Sequence, residues 1–574
     1  MSYSDVFEQW KQKLAPSTFD GWDEKQIEEA FYMPLAFGTA GMRGIVGPGT
    51  NRMNVYTVAR ATLGLCDFIH DEKKEAAGVA ISYDTRRCST EFALLAARVL
   101  GASGINVYLY ENVRPVPMIS FAVRNLGCAA GIMITASHNP KEYNGYKVYG
   151  PDGAQMSPEA TAVVVSYIDK HDYFDFELEN ITIDGEEQLK GLDMKKISDH
   201  ITVIGKTVDE RYFAAISALS LSPDAVERQR KNLNIVYTPL HGSGYMPVTT
   251  MLSRMKIPFT VVEKQAEPDT EFSTVSVPNP EQKDALSYGI SLAEDINGNV
   301  VIGTDPDCDR MGVAIKDHDG NFVLLNGNQI GALLCDYILR RHTERGDMPA
   351  NPAVVKTIVT TSFAKSIAES YGATVFDVLT GFKFIGEKIK EWESNGKYSF
   401  MFGYEESYGY LSGTHARDKD AVVASMLFAE MVCYWKDCGI ELYDRLQELF
   451  ARFGYYKDTS VSLVFSGVDG LGKIADIMTK LHSVKLTVIE DEKVTFVSDY
   501  EKRLTTFATG ETKPITLPKS NVIYYGLASG GWLCVRPSGT EPKLKIYTSV
   551  CADSMENAEK KAESLLTAMR NLMN

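Results

Sequence analysis

Short apolar runs rich in β-branched residues alternate along this chain with longer stretches of helical periodicity. "GVAISYD" (78–84) reads as a buried strand running into a polar turn. "STEFALLAARVLGASG" follows as a helix, with a cap at Ser89 or Thr90 and glycine at its close. "INVYLY" from Ile105 and "AAGIMIT" from Ala129 are the next strands. This strand–helix–strand order predicts a largely parallel sheet covered by helices.

The rhythm restarts twice. "NLNIVYTPLHGSG" near Asn232 and "GNVVIGTDPDCDR" from Gly298 form a second unit. "AVVKTIVTTS" near Ala353, "ATVFDVLTGFKFIG" and "YSFMFGYEESYGY" form a third. Beyond about residue 455 the pattern changes to "SVSLVFSG", "WLCVRPSGTEPKLKIYTSV" and a final helix from about Asn557, the signature of a smaller α+β domain. Polar stretches near 185–205, 316–321 and 440–458 divide the chain into expected domains at 1–205, 206–318, 319–455 and 456–574. At 574 residues several cores are required.

Composition narrows the function classes. With 59 Lys+Arg against 75 Asp+Glu the net charge is −16, which argues against broad nucleic-acid or anionic-membrane binding. The nine cysteines are scattered, without CxxC or zinc spacing, as free thiols in a reducing cytosol would be. "MSYSDVFEQWKQKL" lacks the apolar segment of a signal peptide, and "AVVASMLFAEMVCYW" from Ala421 contains Glu430 and is too short to span a bilayer. A cytoplasmic protein, monomer or homodimer, is expected.

Each unit sends an apolar strand into a loop dense in polar groups, and in open parallel sheets ligands sit beyond the carboxyl ends of strands. In "TASHNPKEYNGYK", Ser137 stands at a strand end beside His138, and an Asn144-Gly145 turn is expected to return Lys147 toward it. A serine hydroxyl becomes a nucleophile once a base takes its proton or a cation stabilises the alkoxide. In "GTDPDCDRMG", Asp305, Asp307 and Asp309 alternate and in an extended loop would face one way. Carboxylates so crowded repel, a divalent cation resolves the repulsion, and an all-oxygen set suits Mg2+. An aspartyl-nucleophile phosphatase also starts with Asp-x-Asp, but the third aspartate and Arg310 favour a metal cradle.

Two further loops suit a phosphorylated sugar. In "GYEESYGY", Glu405 and Ser407 at i and i+2 can hydrogen-bond neighbouring hydroxyls. In "RPSGTEPKLKIY", Arg536, Ser538, Gly539 and Thr540 offer a guanidinium, hydroxyls and backbone N–H groups, the donors a phosphate monoester needs. "THARDKDAVV" places Lys419 before a helix, and "FGTAGMRG" adds Arg43. Neither GxGxxG after a clear strand nor GxxxxGK[ST] is present, so nucleotide binding is unsupported.

Together "TASHNP", "DPDCDR", "GYEESYG" and "RPSGTEPK" resemble, in order and over nearly the whole chain, the α-D-phosphohexomutase superfamily and within it the α-phosphoglucomutase branch. The resemblance implies an α/β, heart-shaped architecture of four domains, three with related cores and a smaller C-terminal one, around a central cleft. By position it implies a phosphoserine at Ser137, which also lends an oxygen to magnesium held by Asp305, Asp307 and Asp309. It implies sugar contacts at Glu405, Ser407 and Thr380, and phosphate or substrate contacts at Arg43, Arg310, Lys419, Arg536, Ser538, Gly539 and Thr540. His138, Lys147 and Lys419 are its proton-transfer candidates. The implied reaction interconverts glucose 1-phosphate and glucose 6-phosphate, with glucose 1,6-bisphosphate as intermediate and activator. A phosphopentomutase, a glucose-1,6-bisphosphate synthase and a sugar phosphatase are the alternatives. Some bacterial members with dual mannose specificity carry "GExSGH" where this chain has "EESYGY", so that loop's histidine is absent.

Overall fold

The computed structural model describes residues 2–38, 41–176, 198–465, 469–538 and 543–573. The chain divides into two compact units. The first comprises 1–325, 386–395 and 409–437, the second 326–385, 396–408 and 438–574.

The first unit holds two sheets. One orders its strands β1-β5-β4-β2-β3-β6: β1 (Gly41–Ile45), β2 (Val79–Tyr83), β3 (Val107–Tyr110), β4 (Ala130–Ile134), β5 (Tyr143–Tyr149) and β6 (Ile201–Ile204). β2, β3, β4 and β6 are parallel; every residue of β2 and β4 is buried, as their apolar runs predict, whereas β6 falls in a stretch read from the sequence as a polar boundary. β5 departs from the expectation by pairing antiparallel with both β4 and β1. Asn144-Gly145 is therefore no turn but lies inside β5, and the chain reverses over the residues before it. A Cβ on Gly145 would meet Thr135 O at 2.5 Å and Met42 O at 2.8 Å, so only glycine lets the flanking strands approach so closely.

The helix Ser89–Ala102 appears where periodicity places it and closes toward Gly104 (φ +74°). Its N-cap is Cys88, which makes no side-chain cap bond; Ser89 is used elsewhere. The second sheet runs β11-β10-β9-β7-β8, from β7 (Ile235–Thr238), β8 (Phe259–Val261), β9 (Val300–Thr304), β10 (Met311–Lys316) and β11 (Phe322–Leu325). β7, β8 and β9 are parallel, and β9-β10-β11 form an antiparallel meander.

In the second unit β13 (Thr374–Val378), β12 (Pro352–Thr357) and β14 (Ser399–Glu405) run parallel in that order. Its C-terminal part is an antiparallel sheet in which Tyr455–Val464, Lys543–Ala552, Trp532–Pro537, Ile523–Leu527 and Glu492–Asp499 are successive neighbours. The helix Met555–Met573 covers it, burying Leu565, Leu566 and Met569 in one apolar cluster with Leu533, Val535 and Ile546. Among the described residues no helix is long and apolar enough to cross a membrane.

Candidate active site

Ser137 lies just beyond β4 in the left-handed region, at φ +52°, where a residue with a Cβ is disfavoured by about 1–2 kcal/mol. Such strain persists only where the surroundings over-determine it. Ser137 N–H donates to Thr135 Oγ1 at 2.8 Å, and Arg86 Nη2 donates to Ser137 O at 2.6 Å. The side chain is almost fully buried, and Ser137 Oγ donates to Asp305 Oδ2 at 2.8 Å. His138 Nδ1 lies 3.1 Å from the same oxygen. Burial first, then the charges of Arg310 and Arg43, holds the His138 imidazole well below its usual range, so it is neutral.

The three aspartates converge by a turn, not by the extended alternation the sequence suggests. Cys308 (φ +48°) closes it, with Cys308 N–H donating to Asp305 O at 2.9 Å. Asp305 Oδ1 then accepts the N–H groups of Asp309 and Arg310 at 3.1 and 3.0 Å. One carboxylate oxygen from each aspartate falls within 4.8 Å of the others. From beneath, Ser243 donates through both N–H and Oγ to Pro306 O, at 2.8 and 2.7 Å. Gly242 packs so close that a Cβ there would meet Pro306 Cα at 2.5 Å.

The electrostatics of this turn are those of a cation cradle. Burial, then the charges of Asp307 and Asp309, pushes Asp305 well above the usual carboxylate range. Burial opposes ionisation of Asp307 too, but the Lys147 ammonium, 2.8 Å from its Oδ2, holds it low. Asp309 is raised by burial and by Asp307, against the pull of Lys419 at 3.2 Å. Asp307 Oδ1 and Asp309 Oδ1 are buried without a hydrogen-bond partner among the described residues. A buried carboxylate oxygen left so is costly. A divalent cation would satisfy both, so the donor set fits one.

Around this centre the first unit assembles most of the expected residues. β5 carries Lys147 opposite Met133 of β4. Lys419 Nζ donates to Asp418 Oδ1 at 2.9 Å, and Asp418 is gripped from its other side by Tyr149 OH and Gln155 Nε2, both at 3.0 Å. Arg310 Nη1 donates to Glu281 Oε1 at 2.6 Å, and Arg43 Nη1 to Asn139 Oδ1 at 2.9 Å. In the second unit, Glu405 Oε1 accepts the N–H of Gly381, next to Thr380, at 2.9 Å. Glu406 Oε2 accepts from the hydroxyls of Thr357 and Thr360, both at 3.2 Å. Ser407 follows in the turn after β14. Arg536 Nη2 donates to Tyr547 OH at 3.2 Å, and Ser538 N–H to Lys543 O at 2.7 Å. Gly539 and Thr540 lie outside the described residues.

The chain matches four models in sequence. They are phosphoglucomutase/phosphomannomutase alpha/beta/alpha domain I at 34–174, domain II at 210–320, domain III at 326–453 and the C-terminal domain at 516–565. The chain belongs to the phosphoglucomutase/phosphomannomutase family. It is an enzyme, a phosphotransferase of the mutase kind with a four-domain α/β architecture. A phosphoglucomutase of Staphylococcus haemolyticus (strain JCSC1435) is 38% identical over 545 residues, covering 95% of each chain. One of Staphylococcus aureus (strain USA300) is 35% identical over 566 residues, 97% of this chain and 98% of its own. The fold is shared by a protein assigned as a phosphomannomutase from Thermus thermophilus, with TM-score 0.66 and 22% identity over 94% of this chain and 99% of the other. A phosphoglucomutase/phosphomannomutase family protein from Burkholderia thailandensis gives 0.64 and 15%, over 93% and 97%.

Sequence reasoning about this family's site missed Asp84, Arg86, Thr135 and Asp418. All four are buried polar residues; Arg86, Thr135 and Asp418 touch predicted ones, and Asp84 touches Arg86 and Thr135. A signal existed in "SYDTRR", just after a buried strand: Asp84 follows β2 as Thr135 follows β4, and Arg86 stands three residues past β2 as Ser137 does past β4.

Proposed function

We propose that the chain interconverts α-D-glucose 1-phosphate and glucose 6-phosphate, with a phosphoserine at Ser137 and glucose 1,6-bisphosphate as intermediate and activator. The observation that carries this reading is the Ser137 hydroxyl, 2.8 Å from Asp305 Oδ2 at a buried three-carboxylate turn. One alcohol thus stands where a phosphoryl group attached to it would meet a divalent cation.

In the forward half-reaction the bond between phosphorus and Ser137 Oγ breaks and one to the free sugar hydroxyl forms. The sugar's proton leaves to a basic side chain, and Ser137 Oγ regains a proton. His138, whose Nδ1 lies 3.1 Å from that oxygen, is one of the proton-transfer candidates, with Lys147 and Lys419. Lys147 and Lys419 oppose the charge of Asp307 and Asp309. Magnesium, held by Asp305, Asp307, Asp309 and the phosphoserine, would neutralise charge on the transferring oxygens. Arg43 and Arg310 contact phosphate, while Glu405, Ser407 and Thr380 hold sugar hydroxyls. Arg536, Ser538, Gly539 and Thr540 grip the phosphate that does not react. The bisphosphate turns over and returns its other phosphoryl group to Ser137. In this reading the serine belongs to 1–205, the metal turn to 206–318, the sugar loop to 319–455 and the phosphate loop to 456–574, in a cytoplasmic monomer or homodimer.

Relatives named phosphoglucomutase over nearly the full length favour glucose over a ribose phosphate or a bisphosphate synthase. Incubation with glucose 1-phosphate, magnesium and trace glucose 1,6-bisphosphate is the test. Glucose 6-phosphate formed without inorganic phosphate supports the mutase. Stoichiometric release of phosphate makes the protein a hydrolase.

A further inference from the structure

We infer that Thr135, held by Asp84, is a positioning residue: its hydroxyl locks Ser137 into the left-handed conformation that aims Oγ at Asp305. This rests on Ser137 being the phosphoryl carrier.

Asp84 directly follows β2 and Thr135 directly follows β4, and these strands are parallel neighbours. Both residues are buried, as are Ser89 and Arg86. Asp84 Oδ1 accepts from Ser89 Oγ at 2.6 Å and from Arg86 N–H at 2.9 Å. Its Oδ2 accepts from Thr135 Oγ1 at 2.6 Å. A hydroxyl has one proton, and a carboxylate can only accept, so the proton of Thr135 is committed to Asp84. What Thr135 then offers Ser137 is a lone pair, and the Ser137 N–H takes it at 2.8 Å. On the other side of the residue Arg86 Nη2 donates to Ser137 O and to Asn139 O, at 2.6 and 2.5 Å. Its Nη1 donates to Pro140 O and Tyr143 O, at 2.9 and 3.1 Å. The peptide groups before and after the serine Cα are both pinned, which fixes φ and ψ together.

A second loop shows that the turn is made by this clamp. Thr238 ends β7, and two residues on Leu240 is left-handed (φ +48°), its N–H donating to Thr238 Oγ1 at 3.1 Å. Thr238 in turn commits its proton to Gln265 Oε1 at 2.7 Å. His241 follows Leu240 as His138 follows Ser137. The same strand-end threonine, with its proton given to a buried acceptor, goes with the same left-handed residue two positions on, where there is no nucleophile. Substrate and metal are not needed to form it. In the catalytic copy a carboxylate replaces the carboxamide and also orients Arg86.

The experiment compares Thr135→Val, Thr135→Ser and Asp84→Leu with the parent enzyme in the glucose 1-phosphate assay. Thr135→Val keeps the volume and removes the hydroxyl; it is expected to lower kcat about 100-fold with KM unchanged, the cost of a misplaced reacting group. Thr135→Ser restores the hydroxyl and is expected to recover most of that rate, although the lost methyl lowers the melting temperature. Parental kcat in Thr135→Val overturns the proposal, as does a Thr135→Ser variant as slow as Thr135→Val, which would mean packing alone. Should Thr135→Val not fold, Asp84→Leu, which leaves the Thr135 hydroxyl without its acceptor, decides: lowered kcat with unchanged KM upholds the clamp and parental kcat refutes it. Ser137→Ala, run alongside, separates the two ideas. Turnover by Ser137→Ala removes the carrier reading, whereas a dead Ser137→Ala with a fully active Thr135→Val removes only the clamp.

Discussion

Lys147 Nζ donates to Asp307 Oδ2 across 2.8 Å, joining β5 to the acidic turn after β9 although 160 positions separate the two residues. A second ammonium, Lys419, stands 3.2 Å from Asp309. Two cations thus face three clustered carboxylates, and the remaining negative charge is what attracts a divalent ion.

Replacing that ammonium should therefore act in opposite directions on metal and on catalysis. Lys147→Met is expected to bind magnesium about tenfold more tightly, because a like charge has left the site, while turnover falls. Without metal the variant should lose about 3 kcal/mol of stability, since a buried carboxylate has lost its partner. Denaturation curves with and without magnesium measure both effects. Unchanged curves would show that the pair contributes nothing.

Ser137→Ala should leave no turnover and no phosphorylated species by intact mass after incubation with glucose 1,6-bisphosphate. A retained mass increment of one phosphoryl group in that variant would place the carrier on another residue.

Asp307→Asn removes one charge from the cradle and weakens the partner of Lys147. Turnover should fall by about two orders of magnitude and the magnesium concentration for half-activity should rise, with little change in fold because the turn is a loop. Far-UV circular dichroism and a magnesium titration of activity test this. A parental magnesium midpoint would exclude Asp307 as a ligand.

Asp458, on the strand Tyr455–Val464, is pushed up from 3.8 to about 6 by burial, with Glu406 adding in the same direction. Its folded state holds the proton more tightly than the unfolded chain does. The associated stability is full below about pH 4 and is lost as pH rises through about 6, a change of about 3 kcal/mol. Asp458→Asn should remove that pH dependence and raise stability at pH 7.5, read from denaturant midpoints across pH 4–8. An unchanged pH profile would mean that the carboxylate is solvated.

Strand and helix identities were legible because each is written in a local period. β2, β4 and β9 are continuous apolar runs, and every residue in them is buried. Ser137 and the three aspartates were legible for the same reason: each stands at the end of such a run, where a core strand has no use for it. Strand direction was not. β5 is antiparallel because residues 137–142 form a tight reversal, a fact carried by backbone bonds to Arg86 and not by any periodicity.

From residue order alone follow the alternating α/β units, the acidic turn, the strand-end serine and the chemistry those groups can perform. Local sequence sets side-chain type and strand period, and both are short-range properties. The tertiary structure alone decided which distant groups meet: Lys147 with Asp307, Ser137 with Asp305, and Asp84 with Thr135. Those pairings depend on sheet order and on hydrogen bonds closed over dozens to hundreds of residues. The left-handed backbone of Ser137 also belongs here, since no serine prefers it until its neighbours in space hold both of its peptide groups.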